Sequence, residues 1–326
     1  MKVSIVMATY NGGAFLRNQL QSLLEQTRTP DELVITDDGS SDDTAQIVDA
    51  FRESSPFPIF FSLNPVRLGY VGNFNRALSK ATGDLVFLCD QDDVWFPDKI
   101  ASIEALALEY PDRWLFMNDA LLTDGNLNEV GLTKLGQIRA AGLTDEAFVM
   151  GCCCAVRSRL LDICLPIPQD CRSHDNWIVR FADALGLRYI YPCSLQYYRR
   201  HGANTSEFIA NRTSHISLRD RLRYKFQRLR QGQSDDAWAS SVAQEELLIK
   251  GILRSIDKME PEQARLARRF AEQKHSELRY QADRRGLRKA FLIKRLFLVL
   301  RFVLENRYPR NGRLRAVLRD VAGWPS

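Results

Sequence analysis

The sequence predicts an α/β chain with a Rossmann-like, mainly parallel central sheet and an α-helical C-terminal appendage. Three observations carry that reading. Short apolar runs rich in β-branched and aromatic residues alternate with helix-period segments through the N-terminal part, which is the pattern of βαβ units. Each run ends in polar residues, as strands do when a parallel sheet collects ligand groups along one edge. Charge then divides the chain: residues 1–211 hold 18 Lys+Arg against 27 Asp+Glu, a net −9, and residues 212–326 hold 27 against 13, a net +14.

The elements follow in order. Strands are expected at 3–8 (VSIVMA), 32–37 (ELVITD), 58–63 (PIFFSL) and 84–89 (DLVFLC), with helices around 14–26, 42–53 and 72–80 between them. Asp42 and Asp43 place negative charge at the positive end of the second helix, and Pro30 closes the loop after the first. A helix over 97–109 then leads through RWLFMND to a strand at 148–157, a helix near 174–185 and short strands at 187–191 and 195–200. Residues 1–211 therefore read as one large domain, and 212–326 as a basic helical region that associates with a membrane or oligomerises.

At 326 residues and 45% hydrophobic content, the chain has enough apolar side chains for a sizeable core. Lys2 leads straight into a strand rather than into a signal-peptide pattern, so a cytoplasmic start is expected. The seven cysteines form no CxxC pair and three are consecutive (Cys152, Cys153, Cys154). They read as reduced, mostly buried small hydrophobes rather than a disulfide framework or a zinc site.

The stretch LVFLCDQDDVWFPDKI (85–100) crowds Asp90, Asp92 and Asp93 straight after a buried strand. Three carboxylates within four residues repel, and a divalent cation with oxygen ligands would relieve the repulsion. Mg²⁺ or Mn²⁺, held by one or two carboxylates and by substrate phosphates, is the expected cofactor. Asp98 reads as a cap of the following helix. DDGSSDDT (37–44) offers neither a GxGxxG nor a P-loop, and Asp38 alone is equally a turn residue. In SHDNWIVRF (173–181), Asp175 can accept the proton of an acceptor hydroxyl while Trp177 packs on a sugar, or it can simply charge a helix start above a core Trp. RRHGAN (199–204) offers His201 as a metal ligand or phosphate partner and Arg199 or Arg200 as a diphosphate clamp, or it is a surface turn.

Taken in order, VSIVMATYNG, VITDDGSSDDT, GNFNRALSKATGDLVFLCDQDDVW, the GCCCAVR strand, SHDNW and YYRRHGANTS resemble family 2 glycosyltransferases of the GT-A fold, over roughly residues 3–205. The resemblance implies sugar transfer from a nucleotide donor with inversion at the anomeric carbon. It places Thr9, Tyr10, Asn11, Asp38, Arg67, Asn73, Asp90 and Gln91 around the donor nucleotide. It puts the metal on Asp92 and His201 with Asp90 and Asp93 beside them, and the diphosphate near Arg199 and Arg200. Asp175 matches the general base, with the acceptor beside His174, Trp177 and Gly151; His174 stands where the family's Glu-Asp pair carries Glu. DQDDVW with the later HDxW and YRxHGxN is similar to the rhamnosyltransferase branch, which uses dTDP-L-rhamnose and builds bacterial surface polysaccharide. Uracil and thymine share the edge Asp38 would read, so UDP and dTDP both stand as donor nucleotides, and a glycan or lipid-linked molecule as acceptor. The alternatives are a nucleotidyltransferase forming a nucleotide sugar, for which ATYNGGAF lacks a Gly- and Lys/Arg-rich triphosphate loop, and a catalytically silent membrane-peripheral scaffold.

The basic tail contains LRKAFLIKRLFLVLRFVL (287–304), whose longest uninterrupted apolar run is LFLVL. A spanning helix needs about 20 mostly apolar residues, so this one does not span. On a helix, Leu292, Ile293, Leu296, Phe297, Val299, Leu300, Val303 and Leu304 fall in one arc of about 160°. Lys294, Arg295, Arg301 and Glu305 lie opposite, with Leu298 and Phe302 as apolar exceptions among them. Such a helix lies on an anionic membrane surface, or it packs against the catalytic domain or a second subunit. The expectation is a protein peripheral to the inner face of the cell membrane. No nucleic-acid-binding module accompanies the charge, so nucleic acid is not an expected partner.

Overall fold

The computed structural model describes residues 1–202, 208–231, 234–308 and 313–323. The chain forms two compact units, the first made of Met1–Arg221 with Lys250–Ala267 and the second of Leu222–Ile249 with Arg268–Ser326.

In the first unit, β1 (Val3–Thr9), β2 (Glu32–Asp37), β3 (Ile59–Leu63) and β4 (Leu85–Cys89) lie in the order β3-β2-β1-β4 and are parallel throughout. The connections are α1 (Gly13–Leu24), α2 (Thr44–Ser54) and α3 (Gly69–Leu78). β2 and β4 are buried at every position, as strands covered on both faces should be. Leu16, Leu20 and Leu23 of α1 pack with Ile5, Met7, Leu33, Ile35 and Phe87 of the strands into one core. The parallel register sets Thr9 beside Asp37 and Met7 beside Cys89, so the polar strand ends share one edge.

After β4 come β5 (Val94–Trp95), α4 (Lys99–Glu109), β6 (Leu115–Thr123), β7 (Glu129–Thr133) and α5 (Lys134–Ala140). β8 (Cys154–Arg157), α6 (Ser158–Cys164), α7 (His174–Ala184) and β9 (Arg188–Arg199) follow. The sheet continues β4-β8-β6-β9-β5 with β8 antiparallel to both neighbours, and β7 pairs with β6, making nine strands among the described residues. The strand expected over 148–157 is only β8, because Gly151–Cys153 form a 3-10 turn. The two short strands expected after α7 are one. Pro192 survives within β9 because the register with β6 slips there, from Asn118–Tyr191 to Asp119–Ser194, where a missing N–H breaks no regular ladder. Asp98 occupies the first position before α4 but makes no side-chain capping bond, contrary to its expected role.

Lys99 opens α4 and is completely buried. Its ammonium donates to the Cys152 carbonyl at 2.8 Å and to Gln196 Oε1, and sits 3.9 Å from the Trp95 ring centroid. Burial pulls its pKa below the usual lysine range. All seven cysteines are free, and five are buried.

Residues 250–267, part of the appendage as the sequence divides, belong to the first unit. Ser255 Oγ donates to the Ile163 carbonyl at 2.6 Å and Lys258 Nζ to that of Asp162 at 3.0 Å. The remaining helices are α8 (Leu218–Gln231), α9 (Asp235–Arg254), α10 (Pro261–Lys289), α11 (Leu292–Leu304) and α12 (Arg313–Ala322). In the second unit, Leu287, Val299, Phe302, Tyr308 and Ala316 form a small core. Beside it the buried Asp320 carboxylate takes Arg284 Nε at 2.7 Å, Arg288 Nε at 2.7 Å and the Tyr308 hydroxyl at 2.9 Å. No helix among the described residues is long and apolar enough to cross a membrane.

Replacing Lys99 with Met leaves two buried acceptors, the Cys152 carbonyl and Gln196 Oε1, without a donor. Lys99→Met should therefore lose about 1–3 kcal/mol of stability, seen as a lower denaturant midpoint at unchanged slope. An unchanged midpoint would show that the buried ammonium contributes nothing.

Candidate active site

The ends of β1, β2 and β4 meet along one edge of the sheet. At the end of β2, Asp37 Oδ1 accepts the Gly39 and Ser40 amides at 3.0 and 2.7 Å, and Oδ2 accepts the Thr9 hydroxyl at 2.7 Å. Asp38 Oδ1 accepts Asn64 Nδ2 at 2.9 Å and the Leu68 amide at 2.7 Å, and Oδ2 accepts the Gly69 amide at 2.8 Å. Gly69 has φ +70°, a conformation that suits glycine. Asn73 is buried, giving its Nδ2 to the Thr9 carbonyl at 3.1 Å and accepting Asn64 Nδ2 at 2.9 Å.

Thr9 and Asn73 thus differ from the expectation that they touch a nucleotide: both are buried with their polar atoms bound to neighbours, and they brace the crevice from behind. Asp38 is also buried, and three internal donors leave its carboxylate room for about one more. The outward-facing groups are Tyr10, Asn11 and Arg67. The Arg67 guanidinium lies 4.0 Å from the Tyr10 ring centroid, forming a planar rim. Asn11 takes φ +47° and accepts the Ser41 amide at 2.9 Å, tying the first strand's loop to the second's. Gln91 spans the gap to the acidic loop, accepting the Tyr10 amide at 3.0 Å and returning Nε2 to the Tyr10 carbonyl at 3.1 Å.

The three carboxylates after β4 part company. Asp93 points inward and is fully buried, its oxygens accepting Gln196 Nε2 at 3.0 Å and the Arg199 amide at 3.1 Å. Burial, with Asp92 and Asp90 nearby, pushes its pKa well above the carboxylate range. Asp92 Oδ2 meets His201 Nε2 at 2.8 Å, and the His201 ring stacks on Phe15 at 4.3 Å. Asp90 stays partly open, yet its carboxyl is set deep enough, and near enough to Asp92 and Asp175, that its pKa rises to about 7.

Asp175 lies in the first turn of α7, whose N-cap is Ser173. Its Oδ1 accepts the Ser173 hydroxyl and, at 2.7 Å, the Asn176 amide. Oδ2 has no donor among the described residues. His174 is buried with its ring stacked on Phe74 at 4.0 Å, and burial lowers its pKa. Gly151 faces it so closely that a Cβ there would come within 2.8 Å of Nε2. Trp177 does not reach the crevice: its ring is buried against Gly251 and its Nε1 donates to the Cys164 carbonyl at 2.8 Å. A sugar cannot stack on it. Arg199 is also buried, its guanidinium 4.8 Å from the Phe15 ring centroid and bonded to Gly125 and Asn18, so it braces the site rather than clamping a diphosphate. Arg200 and His201 line an open cleft of about 490 Å³ with Asn211 and Arg212. Asn204 of the RRHGAN motif lies outside the described residues.

A model of glycosyl transferase family 2 matches residues 4–162. An uncharacterized glycosyltransferase from Nostoc sp. is 31% identical over 227 residues, covering 66% of this chain and 69% of that protein. The chain belongs to glycosyl transferase family 2. The dTDP-rhamnosyl transferase RfbG of Shigella flexneri is 37% identical over 98 residues, 29% of this chain and 34% of that relative; that match spans about a third of its length. The crystal structure of residues 1–349 of TarS from S. aureus, in complex with UDP, superposes with a TM-score of 0.54 at 19% identity, covering 86% of this chain and 71% of that one. The fold is GT-A.

Among the described residues of this glycosyltransferase, an Asp90 oxygen, an Asp93 oxygen and Cys152 Sγ lie within 4.8 Å of one another, a grouping that could hold a cation. The chemistry of that set fits Mg²⁺ or Mn²⁺ only in part. Both Asp93 oxygens are engaged, and burial keeps the Cys152 thiol protonated, a poor ligand for a hard cation. Of that set, Asp90 is the oxygen donor left for a hard cation, and the Asp92 carboxylate follows two residues on, paired with His201. Lys99, Gln196, Cys152 and Phe15 escaped the sequence reading. The consecutive cysteines read only as buried small hydrophobes, which gave no sign that Lys99 would bond the Cys152 carbonyl.

Asp90 tests the charge crowding directly. Its folded pKa of about 7 lies above the ordinary 3.8, so ionising it costs stability that is intact below about pH 4 and lost as pH rises through 7. Without divalent cation, Asp90→Asn should gain over the parent as pH goes from 5 to 8, with a melting midpoint at least about 2 °C higher at pH 8. A variant less stable at pH 8 would mean that Asp90 is paired rather than crowded.

Proposed function

We propose that the chain is a metal-dependent inverting hexosyltransferase that moves a sugar from a nucleoside diphosphate onto a hydroxyl of a bacterial surface glycan or its lipid-linked precursor. The donor sugar to test first is L-rhamnose on dTDP, followed by UDP-linked sugars; the partial likeness to a dTDP-rhamnosyl transferase supports that order. What supports the reading is a carboxylate in the first turn of α7, Asp175, held on one oxygen only, whose charge helps to raise the Asp90 pKa.

The chemistry assigned to each residue follows from its surroundings. Asp175 Oδ1 is immobilised by Ser173 and Asn176, which leaves Oδ2 to take the proton of an acceptor hydroxyl. That oxygen attacks the anomeric carbon on the face opposite the diphosphate. The bond from the anomeric carbon to the β-phosphate oxygen breaks, and the nucleoside diphosphate departs with its electron pair. A divalent cation held by Asp90 and Asp92, with His201 as a further ligand, would supply Lewis-acid stabilisation of the diphosphate when bound. Tyr10 and Arg67 form the rim on which a pyrimidine ring would lie, and the one open lone pair of Asp38 would meet its N3–H. Arg200, which lines the open cleft together with Arg212, would meet phosphate.

A transfer assay with purified protein, Mn²⁺ and a panel of dTDP- and UDP-sugars tests the proposal. Asp92→Ala and Asp175→Asn should each lower kcat/KM by at least about 100-fold. Asp175→Asn should still bind the donor nucleotide about as tightly as the parent, whereas Asp92→Ala should not. Full activity in both variants, or a product that retains the donor's anomeric configuration by NMR, would overturn the assignment.

A further inference from the structure

Helix α11 has three faces, and only one is used inside the second unit. Leu298, Val299, Phe302 and Val303 pack with Leu287, Tyr308 and Ala316. Leu298 and Phe302, which looked like exceptions on the polar side, therefore belong to the packing side. The remaining apolar residues, Leu292, Ile293, Leu296, Phe297, Leu300 and Leu304, fall in an arc of about 140° at ~100° per residue. They are 45–85% exposed, and Phe291 just before them is 91% exposed. Soluble monomers rarely leave so continuous an apolar ridge in water.

The ridge has a charged border. Lys294 and Arg301 follow it at the edge of the arc, and both are exposed. Helix α12 adds exposed Leu314 and Leu318, one turn apart, each followed by an exposed arginine, Arg315 and Arg319. Residues 291–323 contain eight Lys or Arg and two Asp or Glu. One of those two acids, Asp320, is buried and neutralised by Arg284 and Arg288.

We propose that α11 and α12 form a membrane-docking surface for an anionic lipid bilayer. The α11 ridge lies among the upper acyl chains, and Lys294, Arg315 and Arg319 meet lipid phosphates, while Arg301 pairs with Glu305 at 2.6 Å. The charge chooses this occupant over a second copy of the chain, because two such surfaces face to face would bring arginine-rich borders of the same sign together. The surface acts independently of sugar transfer, so its test needs no donor or acceptor.

The full chain should sediment with phosphatidylcholine vesicles that contain phosphatidylglycerol and bind at least about tenfold more weakly to phosphatidylcholine alone, since the cations supply attraction to anionic lipid. The triple variant Ile293→Asp, Phe297→Asp, Leu300→Asp should bind the anionic vesicles at least about tenfold more weakly, each change removing an exposed apolar group. Its melting curve should match the parent's, since none of the three side chains is in the core. Equal binding to both vesicle types, undiminished binding by the triple variant, or a dimer in sedimentation equilibrium that the triple variant converts to monomer would overturn the proposal.

Discussion

Negative charge gathered at the end of a buried strand is the constraint around which the first unit is arranged. β4 ends inside the sheet, and the loop that follows carries three aspartates in four positions. Asp93 is admitted to the interior because Gln196 and the Arg199 amide reach it from β9. Gln196 in turn accepts from Lys99, whose ammonium also holds the Cys152 carbonyl and so the 3-10 turn at Gly151–Cys153. An ammonium, an amide and a carboxylate thus link α4, β9 and the turn before β8 in one buried chain. Removing any link leaves another buried polar group unsatisfied, which is why such networks fix a single arrangement.

With Asp93 satisfied internally, Asp90 and Asp92 are left at the crevice. Gln91 clamps their loop to the Tyr10 backbone, and Gly12 keeps that approach open, since a Cβ there would meet Gln91 Oε1 at 2.3 Å. His201 on Asp92 brings the end of β9 over the same spot, with Phe15 beneath its ring. The nucleotide side of the crevice is braced in the same manner by Thr9, Asp37, Asn64 and Asn73. The fold therefore spends its buried hydrogen bonds on holding the strand ends apart at fixed spacing, and the exposed polar atoms are what remains for ligand.

The sequence made β1, β2 and β4 legible almost to the residue, because parallel strands covered on both faces read as unbroken apolar runs with polar ends. It also singled out Asp90, Asp92, Asp175 and His201, whose spacing and company are unusual. It could not say which of two adjacent aspartates turns inward, since that depends on Gln196 and Arg199, about a hundred residues away. Trp177 looked free to meet a sugar because the residues that cover it, around Gly251, come from a distant stretch. The shortened β8 has the same cause in Lys99. In α11 the apolar positions occupied so wide an arc that pattern alone could not tell the third that packs from the part that faces water.

The central claim is that the crevice at the end of β4 takes a nucleoside diphosphate together with a divalent cation. Isothermal titration of the full chain with dTDP and with UDP, in the presence and absence of Mn²⁺, tests it most directly. The arrangement of Asp90 and Asp92 predicts binding at least about tenfold tighter with Mn²⁺, and an equal tightening of Mn²⁺ by the nucleotide, as linkage requires. Nucleotide affinity that is the same with and without the cation, or no binding of either nucleotide, would contradict it.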